Sequence, residues 1–138
     1  MLEIVSITHT NHPSVVILRI TGDIDSSNYQ VFQSRVDEEI SKGGRRFLLN
    51  FANVKRITSA GLRVIHNLFN TLRTLNNDID DNELRRLMSV GAYKSPHLKL
   101  TNLTPHVIDV FRLGGFEIYI DLFEDENTAI ESFNSLDA

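Results

Sequence analysis

Residues 46–72 are RFLLNFANVKRITSAGLRVIHNLFNTL, a short apolar run followed by a longer periodic one. RFLLNF at 46–51 is a short apolar run, the pattern of a central strand, broken near its end by Asn50. A helix is expected from about Ser59. Leu62, Ile65, Phe69 and Leu72 recur at intervals of three, four and three, which draws one apolar stripe. His66, Asn67, Asn70 and Thr71 occupy the other side. A buried strand leading into an amphipathic helix is the repeating half of an α/β sheet.

The flanking sequence extends this unit in both directions. Upstream, LEIVSITH at 2–9 is rich in β-branched residues and suits a half-buried strand. His12-Pro13-Ser14 reads as a turn, and VVILRIT at 15–21 as a second, buried strand pairing antiparallel with the first. Gly22 breaks the pattern. Ser27 and Gln30 are spaced as a capping box for a helix carrying Tyr29, Phe32, Val36 and Ile40, and Gly43-Gly44 stops it. Downstream, residues 76–96 are polar and read as an exposed insertion, with room for a short helix at 82–89. LKLTN at 98–102 is a strand. Thr104-Pro105 opens a helix with proline at its first position, with Val107, Ile108 and Phe111 on its apolar side. FEIYID at 116–121 alternates as a strand, and 128–136 forms a last helix with Ile130, Phe133 and Leu136 facing inward. The order is β-β-α-β-α-β-α-β-α: an α/β fold whose mixed, mostly parallel sheet of about five strands is flanked by about four helices.

Composition narrows the function. The chain has 138 residues, which fits one domain (1–138, with the insertion at 77–96), because two halves of this length would each lack a sufficient core. It has no cysteine, so disulfides and thiolate chemistry are excluded. With 18 acidic and 14 basic residues the net charge is -4, which argues against nucleic acid or an anionic membrane as partner. No apolar run is long enough to span a bilayer, and the first twenty residues lack the features of a signal peptide. A soluble, cytoplasmic protein is expected.

Motifs for catalysis are missing. There is no phosphate-binding loop and no dinucleotide fingerprint. His9 and His12 could share a metal, but without a carboxylate pattern they read as surface histidines. TSAGL is not a nucleophile elbow, and His66 lies two helical turns beyond Ser59, about 10 Å along the axis. Asp23 and Asp25 form the best acidic pair. They serve either as helix-start chemistry or as an acidic patch for a partner. Metal, cofactor and enzymatic activity are all expected to be absent.

Three stretches in order carry a more specific signal: ITGDID at 20–25, LLNFANVKRITSAGL at 48–62 and TNLTPHVIDVFRLGGF at 101–116. Together they resemble the STAS family, shared by bacterial anti-sigma factor antagonists and the tails of sulfate transporters. The family's Gly-Glu-Leu-Asp after its second strand is matched by Gly22, Asp23, Ile24 and Asp25. Its Asp or Asn at the end of the third strand is matched by Asn50. Its hallmark, Asp-Ser-Ser/Thr-Gly-Leu, is matched by Thr58, Ser59, Ala60, Gly61 and Leu62, so Thr58 replaces the family's Asp. Leu113-Gly114-Gly115-Phe116 stands where the family has Thr/Ser-Gly-Leu.

The resemblance implies a switch module in partner-switching control of transcription. Unphosphorylated, it would bind an anti-sigma factor of the serine kinase type. The kinase would phosphorylate Ser59, with Thr58 as the alternative acceptor, and a serine phosphatase would restore it. The implied partner-binding surface comprises Asp23, Asp25, Ser26, Thr58, Ser59, Gly61 and Leu62. A serine at a helix N-cap is exposed beside free amides, so phosphate is tolerated locally, yet its charge would eject a partner packed over it. Rival readings are a scaffold module that assembles through 77–96, a homodimer among its forms, and a small-ligand-binding domain.

Overall fold

The computed structural model describes residues 2–9 and 12–134, with side chains described at all of these except 9, 12–14 and 134. Among the described residues five strands form one sheet in the order β1-β2-β3-β4-β5. They are β1 (Glu3–His9), β2 (His12–Thr21), β3 (Arg46–Asn53), β4 (Leu98–Thr101) and β5 (Asp121–Phe123). β1 and β2 pair antiparallel, and β2 to β5 run parallel. The helices among the described residues are α1 (Tyr29–Ser41), α2 (Ser59–Leu75), α3 (Asp81–Ser89), α4 (Pro105–Leu113) and α5 (Glu126–Asn134), with a 3₁₀ turn at Phe116–Ile118. The mixed, mostly parallel five-stranded sheet matches the expected fold class, and α3 is the short helix for which 82–89 left room.

Alternation along β2 and β3 divides two cores. Val16, Leu18, Ile20, Phe47, Leu49 and Phe51 point to one face, where α1, α2, α3 and α4 contribute Phe32, Ile65, Leu84 and Phe111 to a single cluster. Val15, Ile17 and Leu48 point to the other, where α5 covers them with Ala129 and Phe133. Burial on both faces is why VVILRIT and RFLLNF are nearly continuous apolar runs. The start of α5 is tied down by polar contacts. Arg19 donates two hydrogen bonds to the Glu126 carboxylate, at 2.9 and 2.8 Å, and the Asn50 amide donates a third at 2.6 Å. Arg19 in particular holds the Glu126 carboxyl below its ordinary range.

Four expectations need correction. His12–Ser14 belong to β2 and are not the turn expected there. The capping box is not made. α1 starts at Tyr29, and its N-cap Asn28 makes no side-chain cap bond, because its Oδ1 accepts from the Asp25 amide instead. FEIYID is not a strand. Phe116, Tyr119 and Ile120 are all buried at helix-like spacings around the 3₁₀ turn, and β5 begins only at Asp121. Of the last helix, Ile130 and Phe133 pack inward as expected, while Leu136 lies outside the described residues.

The fourth correction concerns 77–96, which is not simply exposed. Leu84, Tyr93 and Ser95 are buried, and Ile79, Leu87 and Met88 pack against the main core. The Tyr93 hydroxyl donates to Asp78 Oδ2 at 2.6 Å, and His97 Nε2 lies 3.3 Å from the same oxygen. Burial pushes the Tyr93 hydroxyl pKa up, and burial outweighs Asp78 in pushing the His97 imidazole down. Arg73 of α2 donates to the Ile79 carbonyl and pairs with Asp81. Tyr93→Phe leaves a half-buried carboxylate short of a donor, so it is expected to lower stability by about 1–3 kcal/mol. Urea denaturation checks this, and an unchanged midpoint would mean that the segment is not part of the cooperative unit.

Candidate functional site

Two loops at neighbouring strand ends form one surface. The first follows β2 from Gly22, whose φ of 112° is a backbone conformation that favours glycine. The second follows β3 and leads into α2. They are zipped together by an isolated parallel bridge between Ile24 and Ile57. The Ile24 amide donates to the Arg56 carbonyl at 3.1 Å, and the Thr58 amide donates to the Ile24 carbonyl at 2.9 Å. The Arg56 amide donates to Asp23 Oδ1 at 3.1 Å. Asp23 therefore staples one loop to the other. The loop that carries Asp23 thus lies against the loop that leads into Thr58 and Ser59.

Asp25 organises its own loop. Its Oδ1 accepts from the Ser27 hydroxyl at 2.6 Å and from the Ser27 amide at 2.8 Å. These two bonds, the hydroxyl's first, hold its carboxyl below the ordinary carboxylate range. Asp25 consequently keeps its charge to lower pH than an unperturbed carboxylate would. The Asn28 amide side chain donates to the Asp23 carbonyl at 2.8 Å and completes the turn.

At the other loop the helix begins one position earlier than a serine cap requires. Thr58, not Ser59, is the N-cap, with extended backbone at φ -101° and ψ 177°, and its side chain makes no capping hydrogen bond. Ser59 is the first helical residue. Both are exposed, and the first turn of α2 holds no acidic residue. Gly61, by contrast, is buried and is not itself a contact surface. A Cβ there would lie 2.7 Å from Ile24 Cγ2 and 2.7 Å from Ile57 Cγ1. The space above Gly61 is therefore filled by the side chains of this chain's own bridge residues. Leu62 is half-buried and packs on the main core.

One feature was not visible in the motifs. A recess of about 260 Å³ opens along the N-terminal half of α2, between Ser26, Tyr29 and Gln33 on one side and Ala60, Arg63, Val64 and Asn67 on the other. Arg63 and Asn67 follow Ser59 at four and eight residues, which puts them on one helix face. That spacing was the available signal. His66 takes no part in the site: the Tyr119 hydroxyl lies 3.4 Å from its Nδ1 and the Asn70 amide 3.2 Å from its Nε2. The side chains of His9 and His12 lie outside those described. Among the described residues no three His, Asp or Glu side chains are gathered as a metal site, and no helix is long and apolar enough to cross a membrane.

The chain belongs to the STAS domain family, whose match spans residues 6–79, more than half of it. A Bordetella bronchiseptica protein named as an anti-sigma factor antagonist, BtrV, is 25% identical over 121 residues, 88% of each chain. Among solved structures, an anti-sigma factor antagonist from Mycobacterium paratuberculosis superposes with a TM-score of 0.71 at 10% identity, covering 97% of this chain and 95% of that one. The unphosphorylated anti-sigma factor antagonist SpoIIAA superposes with a TM-score of 0.62 at 18% identity, covering 98% of this chain and 97% of that one. SpoIIAA of Bacillus has also been solved in a phosphorylated form, which superposes at 0.56 with 17% identity over 95% of this chain and 97% of that one. These likenesses place the fold.

Proposed function

We propose that this protein is an anti-sigma factor antagonist. In this reading it is a non-enzymatic cytoplasmic module that binds an anti-sigma factor of the serine kinase type and is released by phosphorylation at Ser59. A serine phosphatase resets it. The observation that carries the reading is the pairing of an exposed Thr58-Ser59 step, at the open start of α2, with the Asp25 loop bridged beside it. Relatives named as anti-sigma factor antagonists, one of them solved with and without phosphate, supply the function class.

The local chemistry suits a switch. The positive end of α2 has no acidic side chain of its own in the first turn, so a phosphate on Ser59 is favoured where it forms. Lys55 and Arg56, both exposed, precede it. A partner covering Thr58, Ser59 and the neighbouring recess would have to desolvate the added ~1.5 to 2 negative charges. The fold therefore tolerates the modification that the interface does not. Thr58 in place of the family's Asp leaves a second hydroxyl one residue away, and it is the alternative acceptor.

Asp25→Ala tests the surface. It removes the ionised carboxylate from the proposed contact and two bonds from its loop, so affinity for the anti-sigma factor is expected to fall about tenfold or more, matching the loss of a charged hydrogen bond. Titration calorimetry and a melting curve on the same variant separate the roles. Unchanged affinity with a lowered melting temperature would confine Asp25 to shaping its loop.

A further inference from the structure

The outer strands of the sheet are β1 and β5, and they are built differently. Edges that stay unpaired are kept short or carry charge, lysine or proline. β5 is three residues long and begins with Asp121, with Glu124 and Asp125 just after it. β1 is seven residues long, EIVSITH, without lysine, arginine or proline, and its one acid stands at its first position. Val5, in its middle, is 57% exposed. Val5 is on the same face as Ile7, which packs against the second, smaller core cluster under α5. On that face Val5 is registered beside Arg19 and Ile7 beside Ile17.

We propose that β1 pairs antiparallel with β1 of a second copy of this chain, about a two-fold axis through Ser6. The sequence of the strand selects this register. Ser6 faces Ser6, Val5 faces Ile7 twice, Ile4 faces Thr8 twice, and Glu3 stands opposite position 9, a histidine, rather than opposite another acid. A slip of one residue would set Val5 against Ser6 and join the α5 side of one copy to the opposite side of the other. A slip of two in one direction would place the Glu3 carboxylate against Ile7. In the selected register Val5 of each copy covers Ile7 of the other, so the two smaller clusters become continuous across the seam. The two sheets join into one of ten strands. β1 supplies none of the residues of the proposed Thr58-Ser59 surface, so this pairing stands or falls separately from the switch.

The chain has no cysteine, so Ser6→Cys introduces a single thiol on the proposed axis. Directly opposed residues in antiparallel strands have Cβ atoms about 4.5–5.5 Å apart, close to disulfide reach. Mild oxidation is expected to give a covalent dimer of Ser6→Cys, and none of Asn82→Cys, whose thiol would sit on exposed α3 at the other candidate assembly segment. Sedimentation of the unaltered protein is expected to give about twice its 15.7 kDa mass. Val5→Lys changes a side chain that is exposed in the single copy, so it is expected to halve that mass while the circular dichroism spectrum is kept. A single-copy mass for the unaltered protein overturns the proposal. So does a dimer indifferent to Val5→Lys, or cross-linking through Asn82→Cys in place of Ser6→Cys.

Discussion

Ser59→Asp is expected to fold normally and to lose most of its affinity for the anti-sigma factor. Ser59 is the first residue of α2, where an acid is favoured by the helix dipole, and no other acid competes in that turn. The melting temperature should therefore hold or rise slightly. At the interface the same carboxylate would be covered without a partner, which costs ~2–5 kcal/mol, or about 30-fold to several-thousand-fold in affinity. Ser59→Ala supplies the contrast. Because Thr58 rather than Ser59 is the N-cap, the serine hydroxyl is not a capping group, and its loss should leave both stability and affinity nearly unchanged. Titration of the three proteins against the same partner reads the difference directly.

Gly61→Val is expected to damage both fold and binding. The added carbons would enter the space of Ile24 Cγ2 and Ile57 Cγ1, both 2.7 Å from a Cβ at that position. Ile24 is fully buried and Ile57 nearly so, so neither has room to give way. Overpacking of this kind costs about 1–3 kcal/mol. The strain falls on the bridge that holds the two loops together, so affinity should fall even in molecules that remain folded. Chemical denaturation gives the first effect. Affinity measured well below the melting temperature gives the second. A stable variant with full affinity would mean that the Ile24–Ile57 bridge does not shape the binding surface.

The parts of the fold that were legible in the sequence are those where one pattern dominates. VVILRIT, RFLLNF and the stripe from Leu62 to Leu72 each have only one burial solution, and they form β2, β3 and α2. The misread parts are those where two patterns overlap. In FEIYID, alternation suggests a strand, but Phe116, Tyr119 and Ile120 also match one helical turn, and the Gly114-Gly115 break leaves them to pack as a 3₁₀ turn under α4. In 77–96 the count of charges hid the spacing of Leu84, Leu87 and Met88, which anchors a short amphipathic helix, with Ile79 and Tyr93 packing on either side of it. At the site, the motif pointed to two loops that do adjoin in the fold, but not to how each of their residues packs. Thr58 and Ser59 are both good helix-start residues, so sequence alone left the cap ambiguous by one position. Gly61 reads as a contact from its motif, and only the packing places it under Ile24 and Ile57. The recess beside Arg63 and Asn67 depends on how α1 and α2 cross, which no local pattern encodes.

If Ser59 is the switch, mass spectrometry of the peptide covering residues 47–63, after incubation with ATP and the anti-sigma factor kinase, is expected to find one phosphate on Ser59, accompanied by release of the partner. Phosphate on Thr58 alone would move the switch by one residue onto the N-cap. An unmodified peptide, together with full partner affinity in Ser59→Asp, would rule out the switch and leave a STAS module that works without phosphorylation.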